Sequence, residues 1–196
     1  IESSSFKEIQ NEVEATPVPI KIVSIDISPS TISALLDKHA SEIDDVGSFL
    51  KKNGYIPSIT SLSNASADST LKQPPEFVSK PHITMGHYSQ LSQSEMIDRF
   101  QLLEGRNVRV TVTGLFFSGK AAALSVILDS KTMGGEQINV PIPENKFPHI
   151  TIWFSNGASA VESNELPQLV DQGEATRIEF VEPDTISGVV RFWRTS

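Results

Sequence analysis

The chain contains no cysteine, which excludes disulfide staples and a cysteine nucleophile but says nothing of compartment. Cations are scarce as well: 16 lysines and arginines stand against 24 acidic residues, a net charge of −8. That balance excludes a protein that grips long stretches of nucleic-acid backbone, because such affinity comes from cations displacing counterions from phosphates. Any nucleic acid must be recognised locally, by a few cations at one place. No stretch approaches the length of a membrane span, so no membrane partner is expected. There is no His-x-x-x-His or HExxH pattern to announce zinc, and no glycine-rich nucleotide loop, since Ser118-Gly119-Lys120 lacks the residues that precede one. No metal and no cofactor is expected.

Histidine is rare too, at four residues, yet two of the four occur in a repeated tetrapeptide. Pro81-His82-Ile83-Thr84 recurs as Pro148-His149-Ile150-Thr151, 67 residues further on. Both copies are rich in β-branched and aromatic residues, with proline only at the entrance, as a strand tolerates. Strand side chains alternate, so His and Thr share one face while Ile83 and Ile150 point into a core. One copy would be ordinary strand vocabulary. Two copies read as a duplicated structural unit, and two such strands facing each other across a cleft would supply a base, an acid and two hydroxyls. Those are the groups needed to open a phosphodiester without a metal.

The rest of the chain reads as one α+β unit. Residues 1–17 are polar and aperiodic, a linker or frayed terminus, and 18–196 form a single domain. The chain starts at Ile1 rather than Met and is read as part of a longer protein. Pro19 to Ile27 alternates as a strand, and Ile32, Leu35, Leu36, His39, Ile43, Val46, Phe49 and Leu50 make one helical stripe, with His39 a packing residue. Ser58 to Glu76 is a long loop leading to the first triplet. Ser92 to Leu103 reads as a short helix, and Arg106–Phe117 with Ala121–Asp129 as a hairpin around Ser118-Gly119-Lys120. Gly134-Gly135 marks a loop before the second triplet. Ser159 to Gln172 reads as a helix, followed by two closing strands, Arg177–Val181 and Thr185–Trp193.

The paired triplets resemble the 2H phosphoesterase superfamily. Phe147 to Trp153, Leu166-Pro167-Gln168-Leu169, Gly173-Glu174-Ala175 and Ile186-Ser187-Gly188 are similar to the C-terminal cyclic phosphodiesterase domain of plant and fungal type tRNA ligases. So are His82 to His87 and Lys120 to Leu124. The resemblance runs from about Lys80 to Trp193. It implies a bilobal fold, with two antiparallel sheets related by a pseudo-twofold, outer helices and a central cleft. It also implies a substrate, the 2′,3′-cyclic phosphate end of a tRNA 5′ exon, opened to a 2′-phosphate and a 3′-hydroxyl. The partners would be ligase and kinase domains of the same polypeptide, in a monomer of nuclear or cytoplasmic location.

In this reading His82 and His149 carry the protons, near-neutral imidazoles being suited to either role at pH 7, and Thr84 and Thr151 donate to the phosphoryl oxygens. The sequence does not separate acid from base; analogy makes His149 the base and His82 the acid. Lys120, in its turn, and Trp153, two residues beyond Thr151, are further candidates for binding substrate. His87 lies at an odd offset from His82 and faces away unless a bulge intervenes, and Tyr88 carries no assigned role. Two other readings remain open: 2H chemistry on a 2′,5′-oligonucleotide or small cyclic nucleotide, and a module that holds such ends without cutting them.

Overall fold

The computed structural model describes residues 18–58, 72–132 and 140–195. Residues 1–17, most of the Ser58–Glu76 loop and Gly134-Gly135 lie outside the described residues. The strands are β1 (Ile20–Asp26), β2 (His82–His87), β3 (Asn107–Phe117), β4 (Ala121–Thr132), β5 (His149–Phe154) and β6 (Thr176–Arg194). Among the described residues four α-helices accompany them: α1 (Pro29–Glu42), α2 (Asp44–Lys52), α3 (Gln93–Phe100) and α4 (Leu166–Asp171). Short 3₁₀ turns cover Gln101–Leu103 and Ala160–Glu165.

The α+β class holds, but the described strands form one six-stranded antiparallel sheet rather than two sheets. Its order is β2-β1-β6-β3-β4-β5. The long β6 joins the two halves, pairing with β1 through Val189–Arg194 and with β3 from Thr176 to Val189. The expected break between the two closing strands survives only as an interruption of this ladder. Asp184 pairs with Val112 and Glu179 with Gly114, and Pro183 falls in the gap, where its missing N–H costs nothing. The order is symmetric about the centre: β2-β1-β6 on one side answers β5-β4-β3 on the other. The motif strands β2 and β5 are the outer members.

The outer strands also meet. Residues 76–78, just ahead of β2, pair antiparallel with β5: Val78 N–H donates to Ile152 O at 3.0 Å and Phe154 N–H to Glu76 O at 3.1 Å. The chain therefore brings β2 alongside β5 before β2 joins β1.

Alternation places Val108, Val110 and Val112 of β3 on the same buried side as Ile25, Ile83, Leu124 and Ile150. Helices α1 and α2 cover this core with Leu35, Leu36, Val46, Phe49 and Leu50, all of them buried. The single helical stripe is cut into two helices because Ile43 takes an extended conformation, and Asp44 and Asp45 then suit the positive start of a new helix. His39 packs as expected: it is 2% exposed, stacks on Phe180 at 3.5 Å and places Nε2 2.7 Å from Asp184. Ser92 and Glu95 form a reciprocal capping box on α3, and the Gln93 amide exchanges two 2.6 Å hydrogen bonds with the backbone of Ile20. The predicted Ser159–Gln172 helix is a 3₁₀ turn followed by α4. Pro167, in the first turn of α4, has no N–H with which to carry an α-helix back through Ser159.

Gly114 sits where the β3 register shifts against both neighbours, and a Cβ there would overlap the carbonyl oxygen of Ile178. At Gly119, in the hairpin turn, an added Cβ would meet nothing within 4 Å. Gly114→Ala is expected to cost about 1–3 kcal/mol in urea unfolding, the usual range for overpacking, while Gly119→Ala leaves the midpoint in place. Equal midpoints for both variants would mean that this close approach does not constrain the sheet.

Candidate active site

The two motif strands are built alike down to their hydrogen bonds. His82 lies opposite Asp26, Ile83 opposite Ile25 and Thr84 opposite Ser24; His149 lies opposite Ser125, Ile150 opposite Leu124 and Thr151 opposite Ala123. In each copy the neighbouring strand donates to the motif proline's carbonyl, Ile27 N–H to Pro81 O and Val126 N–H to Pro148 O. In each, the residue after the threonine is then skipped, so that Val23 faces Gly86 and Ala122 faces Trp153. The burial patterns are identical, with His and Thr half-buried around a buried Ile.

That skipped residue re-aims the side chains beyond it, since a bulge exchanges the two faces of a strand. Trp153, expected on the triplet's face, is instead 6% exposed and packs edge-on against Phe49 at 5.6 Å. The substrate-binding expectation for Trp153 is corrected: it is a core residue. His87 moves the other way, to the half-buried outer side with His82, where Nδ1 lies 2.7 Å from Ser89 Oγ. Tyr88 is exposed and rests against the His87 ring.

Both histidines are anchored through Nδ1 to the carbonyl two residues back, His82 to Lys80 O at 2.9 Å and His149 to Phe147 O at 2.6 Å. A carbonyl only accepts, so each Nδ1 carries a hydrogen and each Nε2 is the atom left for chemistry. Strand β2 lies alongside β5, and the two imidazoles are near enough to interact electrostatically.

Their surroundings differ. The Trp193 ring lies 4.6 Å from the His82 ring, and its indole N–H donates to Asp26 Oδ1 at 3.2 Å. The same carboxylate oxygen accepts from the fully buried Ser24 at 2.5 Å. His149 stacks on Phe147 at 4.9 Å and is covered by the 3₁₀ turn, where the fully buried Ser163 Oγ lies 2.8 Å from His149 Nε2 and 2.8 Å from Thr151 Oγ1. Burial lowers the His149 pKa below the ordinary histidine value; the Phe147 carbonyl opposes that shift, and the charge of His82 adds to it.

Lys120, expected to bind substrate, faces carboxylates. Its ammonium stands 3.9 Å from Glu162 in a groove that Glu165 and Glu174 also line, surroundings that repel a phosphate. Through Glu162 it braces the turn that carries Ser163. Among the described residues no group of three or more His, Asp or Glu side chains is arranged to hold a metal ion. Ser163, Asp26 and Trp193 escaped the sequence reading. Only Trp193 left a trace there, as one of two tryptophans, on a closing strand.

The fold and site are thus those of an antiparallel α+β chain carrying two matched His-x-Thr strands. No family model matches it. In sequence it is 28% identical over 174 residues to tRNA ligase 1 of Arabidopsis thaliana, a match that takes in 89% of this chain and 14% of that protein. In fold it is similar to the crystal structure of a fungal RNA kinase, with a TM-score of 0.60 at 14% identity over 92% of this chain and 47% of that one. The chain spans about one seventh of the length of the curated relative it matches.

Because the fold lowers the His149 pKa, the unfolded chain takes up a proton near pH 6.5 while the folded chain resists it. His149 therefore adds no penalty above that pH and costs stability as the pH falls below it. In an NMR titration His149 is expected to change charge below 6.5, and His82→Ala to move it upward by removing a positive neighbour. A His149 transition at or above 6.5 in the wild type would contradict this account. Ser163→Ala leaves Nε2 and Thr151 without their buried partner and is expected to lower unfolding stability by about 1–3 kcal/mol.

Proposed function

We propose that the chain is a phosphodiesterase that opens RNA 2′,3′-cyclic phosphate ends to a 2′-phosphate and a 3′-hydroxyl, within a protein that repairs or splices RNA. The observation that carries this reading is the pairing of the two triplets. Two imidazoles on neighbouring strands are anchored identically through Nδ1, each with a threonine hydroxyl on its own face. The relatives support RNA-end processing: one bears the name of a tRNA ligase, the other that of an RNA kinase. The 2H phosphoesterase chemistry, the tRNA 5′ exon as substrate and a place beside ligase and kinase domains belong to the same proposal.

The chemistry needs one neutral and one protonated imidazole. His149, held neutral by burial, takes a proton from water at Nε2 as the water attacks phosphorus in line with the departing O3′. His82, less enclosed and bordered by the Trp193 ring, gives a proton from Nε2 to that oxygen. Thr84 and Thr151 donate to the nonbridging oxygens, where negative charge builds. Ser163 Oγ, equidistant from His149 Nε2 and Thr151 Oγ1, marks where an oxygen of water or phosphate is held in turnover and must yield that position.

The test is a short RNA ending in a 2′,3′-cyclic phosphate, incubated with the chain and EDTA, with the product identified as a 2′- or 3′-phosphate. A 2′-phosphate is expected, with His82→Ala and His149→Ala each slowing the reaction by about 10²–10⁴-fold, the usual worth of a positioned proton transfer. A 3′-phosphate would keep the two-histidine chemistry and discard the tRNA ligase regiochemistry. Retained binding without turnover would make the chain a holder of such ends.

A further inference from the structure

Resting on that reading, we infer that the RNA strand leading to the cyclic end crosses the β2-β1-β6 side of the sheet and that Arg191 holds one of its backbone phosphates. The site then selects an oligonucleotide end over a cyclic mononucleotide. Access differs between the two triplets. On the β5 side, Leu166 of α4 packs with Phe116 and Ala123 in a small separate core, and Glu162, Glu165 and Glu174 line the groove beside it. The strand is left the other half of the sheet.

On that half Arg191 is exposed and directly opposite Ser24, which is directly opposite Thr84. Directly opposed residues in antiparallel strands share a face, so Thr84, Ser24 and Arg191 form one row across three strands. Two strand spacings, about 10 Å, separate Arg191 from Thr84. That backbone separation suits a phosphate of the nucleotide next to the one under attack. Ser24 is fully buried between them, and Trp193, two residues along β6, borders the same path beside His82.

The guanidinium is also free. Arg99 pairs with Glu144, Arg109 with Asp129, Arg177 with Glu179 and Arg194 with Glu104, and Arg106 has a partner too. Arg191 alone among the arginines makes no ion pair, hydrogen bond or ring contact with the described residues. On a chain of net charge −8, an uncommitted arginine in register with a motif threonine has an anion as its natural complement. The planar fork of donors matches phosphate.

The experiment compares a trinucleotide ending in a 2′,3′-cyclic phosphate with the corresponding cyclic mononucleotide, for the wild type, Arg191→Ala and Arg191→Lys, over a salt series. Arg191→Ala is expected to lower the trinucleotide-to-mononucleotide ratio of kcat/KM about tenfold, through KM. The slope of log KM against log salt should shrink by about 0.7, the loss of one single-strand phosphate contact. Arg191→Lys should retain part of the preference. An unchanged ratio and slope, or equal losses on both substrates, would overturn the assignment. Binding of a trinucleotide with a 2′-phosphate end, followed by fluorescence anisotropy, separates the two levels of failure. If the wild type opens neither substrate, the phosphodiesterase reading fails, while weaker, less salt-dependent binding by Arg191→Ala still supports the phosphate contact. Equal binding by both proteins removes it.

Discussion

The residue skipped after each threonine governs the site more than any side chain does. Up to Thr84 and Thr151 the motif strands alternate normally, with His and Thr out and Ile in. One step later the ladder omits Met85 in one copy and Ile152 in the other. A shift of one residue reverses every side chain beyond it, so Trp153 enters the core against Phe49 and His87 returns to the outer side. Without the bulge, Trp153 would leave the core and stand on the face of His149 and Thr151. The same omission occurs at the same place in both copies, which ties the repeat to backbone geometry and not only to four matching letters.

On this duplicated backbone the two imidazoles acquire different environments. Nδ1 is committed to a carbonyl in both, so the difference lies on the Nε2 side. His149 is enclosed by Phe147 and Ser163, which disfavours its charged form. His82 faces Trp193 and a carboxylate network through Asp26 and Ser24. The proposed acid-base reaction needs such inequality, because two groups in identical surroundings compete for the same proton state. The covering turn supplies it. Lys120, through Glu162, and Asn145, whose amide donates to Asn164 at 2.6 Å, hold that turn from either side of Ser163.

Much of this was legible in the sequence because it is local. The period of two in Pro19–Ile27, the triplets and the Ser118–Lys120 hairpin all rest on near neighbours, and they match the observed strands. What was not legible depends on partners distant in the chain. The apolar stripe from Ile32 to Leu50 runs through Ile43 without a flaw, so nothing local announces the break between α1 and α2. Arg177–Val181 and Thr185–Trp193 read as two strands, whereas β3 carries one long strand past Pro183 by leaving the ladder open there. Two lobes implied two sheets, yet β6 is long enough to pair with both halves. Ser163 lies within the predicted Ser159–Gln172 helix with nothing local to mark it, and only the fold carries it to His149.

The acidity of the chain fits a recognition mode that the site makes concrete. Nonspecific affinity for nucleic acid grows with each phosphate neutralised, so a chain of −8 gains little from long-range attraction and, in the proposed function, relies on contacts at the RNA end. Most of its arginines are already committed to carboxylates, which removes them as competing phosphate sites elsewhere on the surface. Arg191 is the exception, and it stands in the row of Thr84. With acidic surroundings on the Lys120 side and a guanidinium on the β6 side that has no partner among the described residues, the proposed anionic strand would be repelled from one half of the sheet and held on the other. Its proposed direction across the site would then be set by electrostatics that no single triplet could supply.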